Sequence, residues 1–229
     1  MIKLVAEECL QDKFVQQVTE RVSTSEDASR YLESRGINED AIFKFGIGYF
    51  DDSEYSAFYR RILFPVKDMA GNVLTYQGRA NFLWKELGKP KYWHGQYDKS
   101  NFLYGLYENY HKILKEDYVF VVEGPIDVIS LWQVGVPAVA LFSTVLTKPQ
   151  AMLLRMFTKN VVLLLDADEA GGKGSNKAAK VLEDLGMNYV QVRSPGKDAN
   201  EMYCDDEIGP EKLYNSCMEV VNVKFRTIL

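Results

Sequence analysis

From residue 118 onward the chain alternates short apolar runs with helical stretches, and few folds accept that rhythm. Tyr118-Val119-Phe120-Val121-Val122 and Val161-Val162-Leu163-Leu164-Leu165 are apolar at every position. Helix-like stretches at 126–133, 148–157 and 176–185 separate these from further strand-like runs at 138–142 and 189–192. Runs that are apolar throughout, rather than at every second residue, belong to strands buried on both faces. Strands alternating with helices predict an α/β unit with a parallel sheet flanked by helices. In such sheets functional side chains sit beyond the carboxyl ends of the strands.

Three acidic motifs fall at such ends. They are Glu123-Gly124-Pro125-Ile126-Asp127, Asp166-Ala167-Asp168-Glu169-Ala170-Gly171, and Lys197-Asp198-Ala199-Asn200-Glu201. A single Glu-Gly is commonly a turn, and a single Asp-x-Asp a solvated loop or a helix cap. All three in order, past strand ends, point instead to hard cations and phosphate chemistry. Mg²⁺ takes oxygen ligands and keeps waters and substrate phosphates in its shell. Crowded carboxylates raise one another's pKa, which favours a cation among them. Asp166, Asp168 and Asp198 are the candidate ligands, with Glu123 a ligand or a general acid-base group.

The first half reads differently. Residues 1–45 are expected to be helical: Ser25 caps a helix that ends at Gly36, and Asn38 caps a short one through Phe43. Strand-like runs follow at 47–50, 62–66 and 73–77, the last two joined by a turn at Ala70-Gly71-Asn72. Residues 80–103 read as loop, a helix is expected to begin between 102 and 115, and another closes the chain at 211–223. Between Tyr55 and Lys115 ten Lys and Arg face four Asp and Glu, in a chain whose net charge is −5. A basic segment in an acidic chain suggests a local surface for a polyanion, with uneven decoration of solvated faces as the plain alternative. Its aromatics Tyr76, Trp84, Tyr92 and Trp93 suit stacking on single-stranded bases, although the strand patterns assign Phe64 and Tyr76 to the core.

Other readings exclude function classes. A hydrophobic fraction of 47% and a charged fraction of 26% describe an ordinary globular chain. No apolar run reaches the ~20 residues of a membrane span, and Glu7 and Glu8 do not suit a secretory leader. The three cysteines are scattered without a Cys-x-x-Cys pair, which argues against zinc and for the cytoplasm. Gly171-Gly172-Lys173-Gly174-Ser175 lacks the spacing of a phosphate loop. It reads as the lead into a helix, with Lys173 near phosphate. His94 and His111 have no ligand partner at useful spacing.

The acidic motifs, taken with the strand-helix alternation over about residues 117–205, resemble the Toprim module. The basic segment narrows this. Tyr59-Arg60-Arg61-Ile62-Leu63-Phe64-Pro65-Val66-Lys67-Asp68, Gly78-Arg79, Lys89-Pro90-Lys91-Tyr92 and Lys99-Ser100-Asn101-Phe102-Leu103-Tyr104-Gly105 resemble the polymerase core of DnaG-type primases, so the likeness extends over about residues 25–205. The resemblance implies a Toprim domain at 117–205, a smaller α+β basic subdomain at 1–116 and a helical tail at 206–229. It implies metal ligation by Glu123, Asp127, Asp166, Asp168, Asp198 and Asn200, with Glu123, Asp166 and Asp168 catalytic. Asn200 stands where these primases usually carry a second Asp, and Phe142-Ser143-Thr144 where they carry Leu-Gly-Thr. Arg60, Arg61, Arg79, Lys89, Lys91 and Lys99 correspond to residues that bind nucleotide or template in a groove beside the metal site.

The implied activity is that of a DNA primase making short RNA primers on single-stranded DNA from nucleoside triphosphates, with two Mg²⁺ or Mn²⁺ ions and no zinc. A replicative helicase and a separate zinc-binding module are the implied partners. No membrane is involved, and the wording of the third motif suggests a phage-type protein. A Toprim nuclease or phosphoesterase, and a non-catalytic nucleic-acid-binding module, are the alternatives.

Overall fold

The computed structural model describes residues 12–51, 58–81, 90–95, 98–194 and 196–226, arranged as two compact units that divide between Tyr97 and Asp98. The expected helical reading of residues 1–11, as well as Trp84 and Lys89, lies outside the described residues.

Among the described residues of the first unit, three helices, α1 (Asp12–Thr24), α2 (Glu26–Glu33) and α3 (Glu39–Phe45), precede the strands. Both expected caps form. The Ser25 side chain accepts a hydrogen bond from the Ala28 N–H and that of Asn38 from the Ala41 N–H, satisfying first-turn donors that no helical carbonyl reaches. Helix α3 runs two residues past the expected Phe43, to Phe45, which is fully buried. An antiparallel sheet follows in the order β1 (Gly48–Phe50), β2 (Arg61–Lys67), β3 (Val73–Ala80), β4 (Tyr92–His94). The hairpin between β2 and β3 turns at the expected residues, where the Asp68 carboxylate accepts from the Ala70 and Asn72 N–H groups.

Strand β4 lies where the sequence reads as loop. It has three residues, all half-buried, and its pairing with β3 (Gln77 opposite His94, Arg79 opposite Tyr92) defines it. So short a segment carries no periodicity of its own. Phe64 and Tyr76 are core residues, as their strand pattern predicts. Tyr76 packs with Phe14, Phe50 and Phe58, and Trp93 meets Phe58 edge-on at 4.6 Å. Tyr76 and Trp93 therefore serve packing; edge-to-face pairs of this kind add about 0.5–1.5 kcal/mol each to their burial.

The second unit holds the expected parallel sheet. Its strands β5 (Val119–Val122), β6 (Ala138–Ala140), β7 (Asn160–Leu163) and β8 (Asn188–Gln191) lie in the order β6-β5-β7-β8, and every pairing is parallel. Alternate residues serve opposite faces. Val119, Val121, Val161 and Leu163 pack with residues of α4 (Leu106–Glu116), α6 (Lys148–Arg155) and α7 (Glu169–Asp184). On the other face, Phe120 and Leu164 share a small void with Met202 of α8 (Ala199–Cys204) and with Leu213 and Cys217 of α9 (Gly209–Val221). Helix α5 (Pro125–Gln133) packs against α8.

Helix α7 starts at Glu169 rather than near Asn176, so the glycine-rich stretch is its first two turns. Glycine lowers helix propensity, but Gly171 and Gly174 are buried, and tertiary packing overrides that preference. Helix α8 is a further element, capped by Asp198.

The strand order creates a switch point. The chain leaves β5 through α5 to reach β6 on one side, then returns through α6 to β7 on the other. In such sheets the crevice forms outside the carboxyl ends of the strands flanking that reversal. Glu123 directly follows β5, and Asp166 lies three residues past the end of β7.

Candidate active site

The backbone joins the three acidic motifs. The Asp166 N–H donates to Glu123 Oε1 at 3.1 Å, linking the first motif to the second. The Ala167 N–H donates to the Lys197 carbonyl at 2.9 Å, linking the second to the third. The Asn200 N–H donates to Asp127 Oδ1 at 3.1 Å, which closes the set. Asp168 and Asp198 are helix N-caps, accepting from the Gly171 N–H at 2.8 Å and the Glu201 N–H at 2.7 Å. A cap restrains a carboxylate's direction through one oxygen and leaves the other for a ligand.

After β6 the backbone is strained. Phe142 has φ +59°, in the left-handed region that a phenylalanine rarely enters. It is held there by its N–H bond to the Glu123 carbonyl at 3.0 Å and by burial. The loop of Phe142-Ser143-Thr144 is thus tied to the first acidic motif through the main chain.

Electrostatics show that these carboxyl groups sense one another. Burial, then the charge of Asp166, pushes the Glu123 carboxyl up to about 7, with Asp168 and Asp198 adding to the rise. Burial, then Asp198, pushes the Asp127 carboxyl up to about 8. Among the described residues no three His, Cys, Asp or Glu side chains are gathered closely enough to enclose an ion. The donor set still suits a hard cation. Mg²⁺ binds through one or two carboxylates and completes its shell with water and substrate phosphates, without an all-protein cage. Mutual repulsion among carboxylates is what such a cation relieves.

The sign of that repulsion gives a testable pH dependence. A carboxyl group whose pKa is raised by folding binds its proton more tightly in the folded state. Its stabilising contribution is complete below the unfolded pKa and disappears as pH rises through the folded one. For Glu123 the window runs from 4.5 to about 7, and for Asp127 from 3.8 to about 8. Thermal melts in a chelator are expected to show Tm falling from about pH 5 to about pH 8, with a shallower fall in Glu123→Gln. A Tm that rises over that range would show that these carboxyls are not crowded.

Asn200 is only 3% exposed. Its side-chain amide donates to Ser130 Oγ at 2.9 Å, while the Ser130 hydroxyl donates to the Ile126 carbonyl at 3.0 Å. Asn200 therefore anchors α8 on α5, next to the buried Asp127. In Asn200→Asp a carboxylate would replace that donor in a buried, already acidic place. The expected loss is about 2 kcal/mol, read as a fall in Tm of about 4–8 °C. Unchanged melting of Asn200→Asp would show that this amide does not hold the two helices.

The basic candidates divide by environment. Within the first unit Arg61 is buried, which lowers its pKa, and its guanidinium donates to the carbonyls of Gly78, Pro90 and Lys91. It clamps β2 to the chain entering β4. Arg79 is also buried, bonded to the Tyr92 hydroxyl and lying 4.7 Å over that ring. Arg60 is exposed and Lys91 half-exposed. Lys99 belongs to the second unit, where its side chain is exposed and its carbonyl accepts from Gln150 Nε2 at 3.0 Å.

Two features of the site escape motif reading. A Cβ on Gly171 would lie 2.0 Å from the Asp166 carbonyl oxygen, and one on Gly174 would lie 2.2 Å from that of Thr144. The glycines that resembled a phosphate loop are instead where α7 passes against the main chain of two strand-end loops. Arg193, past β8, lines a cavity of about 500 Å³ with Asp166 and Asp168. Its place after the fourth strand was the only sequence signal for it.

Residues 120–203 match a family model described as Toprim-like, and residues 50–110 match that of the DNA primase catalytic core, N-terminal domain. The chain belongs to the DnaG-type primase family. This DnaG-type core is 31% identical to the DNA primase of Aquifex aeolicus, over 91% of its own length and 48% of that protein's. It therefore spans about half the length of that relative. A structure of the Aquifex aeolicus primase comprising zinc-binding and RNA polymerase domains superposes with a TM-score of 0.80 at 31% identity, covering 95% of this chain and 63% of that one. A DnaG primase catalytic domain bound to single-stranded DNA superposes with a TM-score of 0.76 at 25% identity, over 96% of this chain and 82% of that one. The expected Toprim sheet and the antiparallel basic subdomain are the fold of this family.

Proposed function

We propose that this chain is a primase catalytic core that makes short RNA primers on single-stranded DNA in replication. The observation that carries this reading is the coupling of Glu123 to Asp166, Asp168 and Asp198 past the strand ends of a Toprim sheet, in a chain that also matches the primase N-terminal core. The reaction is nucleotidyl transfer. A 3′-hydroxyl oxygen bonds to the α-phosphorus of a nucleoside triphosphate, its proton passes to a general base (the role proposed for Glu123), the bond from that phosphorus to the bridging oxygen breaks, and pyrophosphate leaves with the electron pair.

Asp166, Asp168 and Asp198, with Glu123, would hold the divalent ions, two Mg²⁺ or Mn²⁺. When bound, such ions stabilise charge on the attacking and leaving oxygens. Glu123, with its carboxyl pushed up to about 7, is suited to hold or release a proton at Oε2 near neutral pH. Asp127 and Asn200, buried and bonded to one another, set the position of Asp198 at the start of α8. Arg60 and Lys91 are suited to template or triphosphate phosphates, with Arg79, Lys89 and Lys99 in supporting roles and Arg61 shaping the strand that carries them. Zinc has no part in the chemistry of this core. A separate zinc-binding module and a replicative helicase would be its partners, in the cytoplasm. None of the described helices is long and apolar enough to cross a membrane.

The test is incubation with single-stranded DNA, nucleoside triphosphates and Mg²⁺ or Mn²⁺, with labelled RNA as the readout. Short RNA that disappears in Asp166→Ala supports priming. Strand cleavage without synthesis would replace this reading with a nuclease, and DNA binding indifferent to Asp166→Ala, with neither activity, with a binding module.

A further inference from the structure

Lys99 lies on a single helical turn, Lys99–Asn101, at the start of the second unit. Two side chains at the start of α6 hold the carbonyls of that turn and its cap. The Thr147 hydroxyl donates to the Ser100 carbonyl, and Gln150 Nε2 donates to the carbonyls of Lys99 at 3.0 Å and Phe102 at 2.8 Å. We propose that Gln150 is a positioning residue, which fixes the main chain of Lys99 at the rim of the acidic site so that the exposed ammonium group meets a phosphate in one register. The proposal rests on the nucleotidyl-transfer reading and deepens it.

Gln150 does more than cap its helix. The Thr147 side chain accepts from the Gln150 N–H, and Gln150 Oε1 accepts from the Thr147 N–H at 3.0 Å, which makes a capping box. Such a box needs only an oxygen at this position, so glutamate would serve it equally and would suit the helix dipole. Only an amide adds an NH2 group that donates, and here that group reaches the Lys99 and Phe102 carbonyls. Gln150 is 1% exposed, so these bonds form away from water, where a carbonyl left without its donor is costly.

The clamped turn stands at the end of the sheet that carries the acidic motifs. Tyr104 exchanges N–H···O bonds with Ala140 of β6 at 3.1 and 3.0 Å, and α6 begins from the loop that leaves the carboxyl end of that strand. The same loop meets the acidic motifs twice. The Phe142 N–H bonds to the Glu123 carbonyl, and the Thr144 carbonyl lies so close to α7, the helix that Asp168 caps, that a Cβ on Gly174 would be 2.2 Å from it. Residues 142–147 thus form a main-chain link from the carboxylates to the turn of Lys99. A lysine ammonium sits on a flexible stem without a preferred geometry. Its register on a phosphate therefore depends on how firmly its main chain is held, and misplacement at a reacting centre is costly.

Gln150→Glu keeps the oxygen of the box and removes the donor, and Gln150→Met removes both. Each is made alone and together with Lys99→Ala. Hydrogen exchange at the Asn101 and Phe102 amides, which bond to the Asp98 and Lys99 carbonyls, reports on the clamp directly. Calorimetric binding of Mg²⁺-ATP and anisotropy of labelled oligo(dT) separate nucleotide phosphate from template phosphate, and primer synthesis gives KM and kcat. Exchange at both amides is expected to quicken by about tenfold or more in either Gln150 variant. Whichever phosphate ligand Lys99→Ala weakens, Gln150→Glu is expected to weaken by about tenfold, with no further loss when the two substitutions are combined. A Gln150 effect that persists undiminished beside Lys99→Ala would overturn the proposal, because the residue would then act through stability alone. Unchanged exchange would overturn it too, as would a Lys99→Ala chain that binds both ligands like the parent. The exchange and binding arms need no polymerase activity. A parent chain that binds but fails to prime therefore refutes the primase reading, and the positioning role stands or falls on those two arms.

Discussion

Asp166→Ala is expected to reduce primer synthesis by about 10³-fold or more, the scale at which a pre-positioned electrostatic group contributes to a transition state. Asp166 stands just beyond β7, its N–H holds Glu123 Oε1, and its charge is the largest electrostatic cause, after burial, of the raised Glu123 pKa. Removing the carboxylate takes away a proposed ligand and relaxes the repulsion on Glu123. Two measurements should move in opposite directions. Calorimetric Mn²⁺ binding should weaken, whereas Tm in a chelator near pH 8 should hold or rise, because Glu123 and Asp127 lose a repelling neighbour. Glu123→Gln should share the second effect. Primer yield within about tenfold of the parent would remove Asp166 from the chemistry.

The second large effect is expected where the motifs carry no acidic residue. Gly171→Ala would place a methyl group 2.0 Å from the Asp166 carbonyl oxygen, a contact that only movement of α7 or of the second motif relieves. Overpacking of this kind costs about 1–3 kcal/mol, which corresponds to a Tm lower by about 2–12 °C for a chain of this size. Activity should fall further than stability, by about 10²-fold, since a displacement near 1 Å at reacting groups has that effect. Gly172→Ala is the internal control. A Cβ at Gly172 meets nothing within 4 Å, and alanine in a helix is favoured over glycine by about 1 kcal/mol. Gly172→Ala should therefore melt at or above the parent temperature. If both variants melt alike, the close passage of α7 over Asp166 is not what requires glycine.

These neighbouring glycines show where sequence reading stops. Their spacing excluded a phosphate loop and they read as the lead into a helix, but nothing local marked them as packing positions. The contact partners, the Asp166 and Thr144 carbonyls, are set by the path of the chain around the sheet. Asn200 is a similar case. Its place in the third motif suggested an oxygen ligand, and nothing local announced that its side-chain NH2 would donate to Ser130, seventy residues earlier. Arg61 and Arg79 were legible as cations, but their burial against carbonyls and a tyrosine ring depends on β4, a strand too short to announce itself.

Local chemistry, by contrast, was readable. Ser25 and Asn38 cap helices because their side-chain oxygens reach first-turn N–H groups within three residues. The two unbroken apolar runs could be satisfied only by strands covered on both faces, and acidic residues placed directly after them had to emerge at strand ends. The sequence by itself therefore determined the strand-helix alternation, the caps, the parallel sheet and the kind of chemistry at its edge. The tertiary structure decided the order β6-β5-β7-β8, which places Glu123 beside Asp166 across forty-three residues, and the packing of α8 on α5, which brings Asn200 to Asp127. Propensity and periodicity act over a few residues, whereas strand order and helix docking are chosen by burial summed over the whole unit.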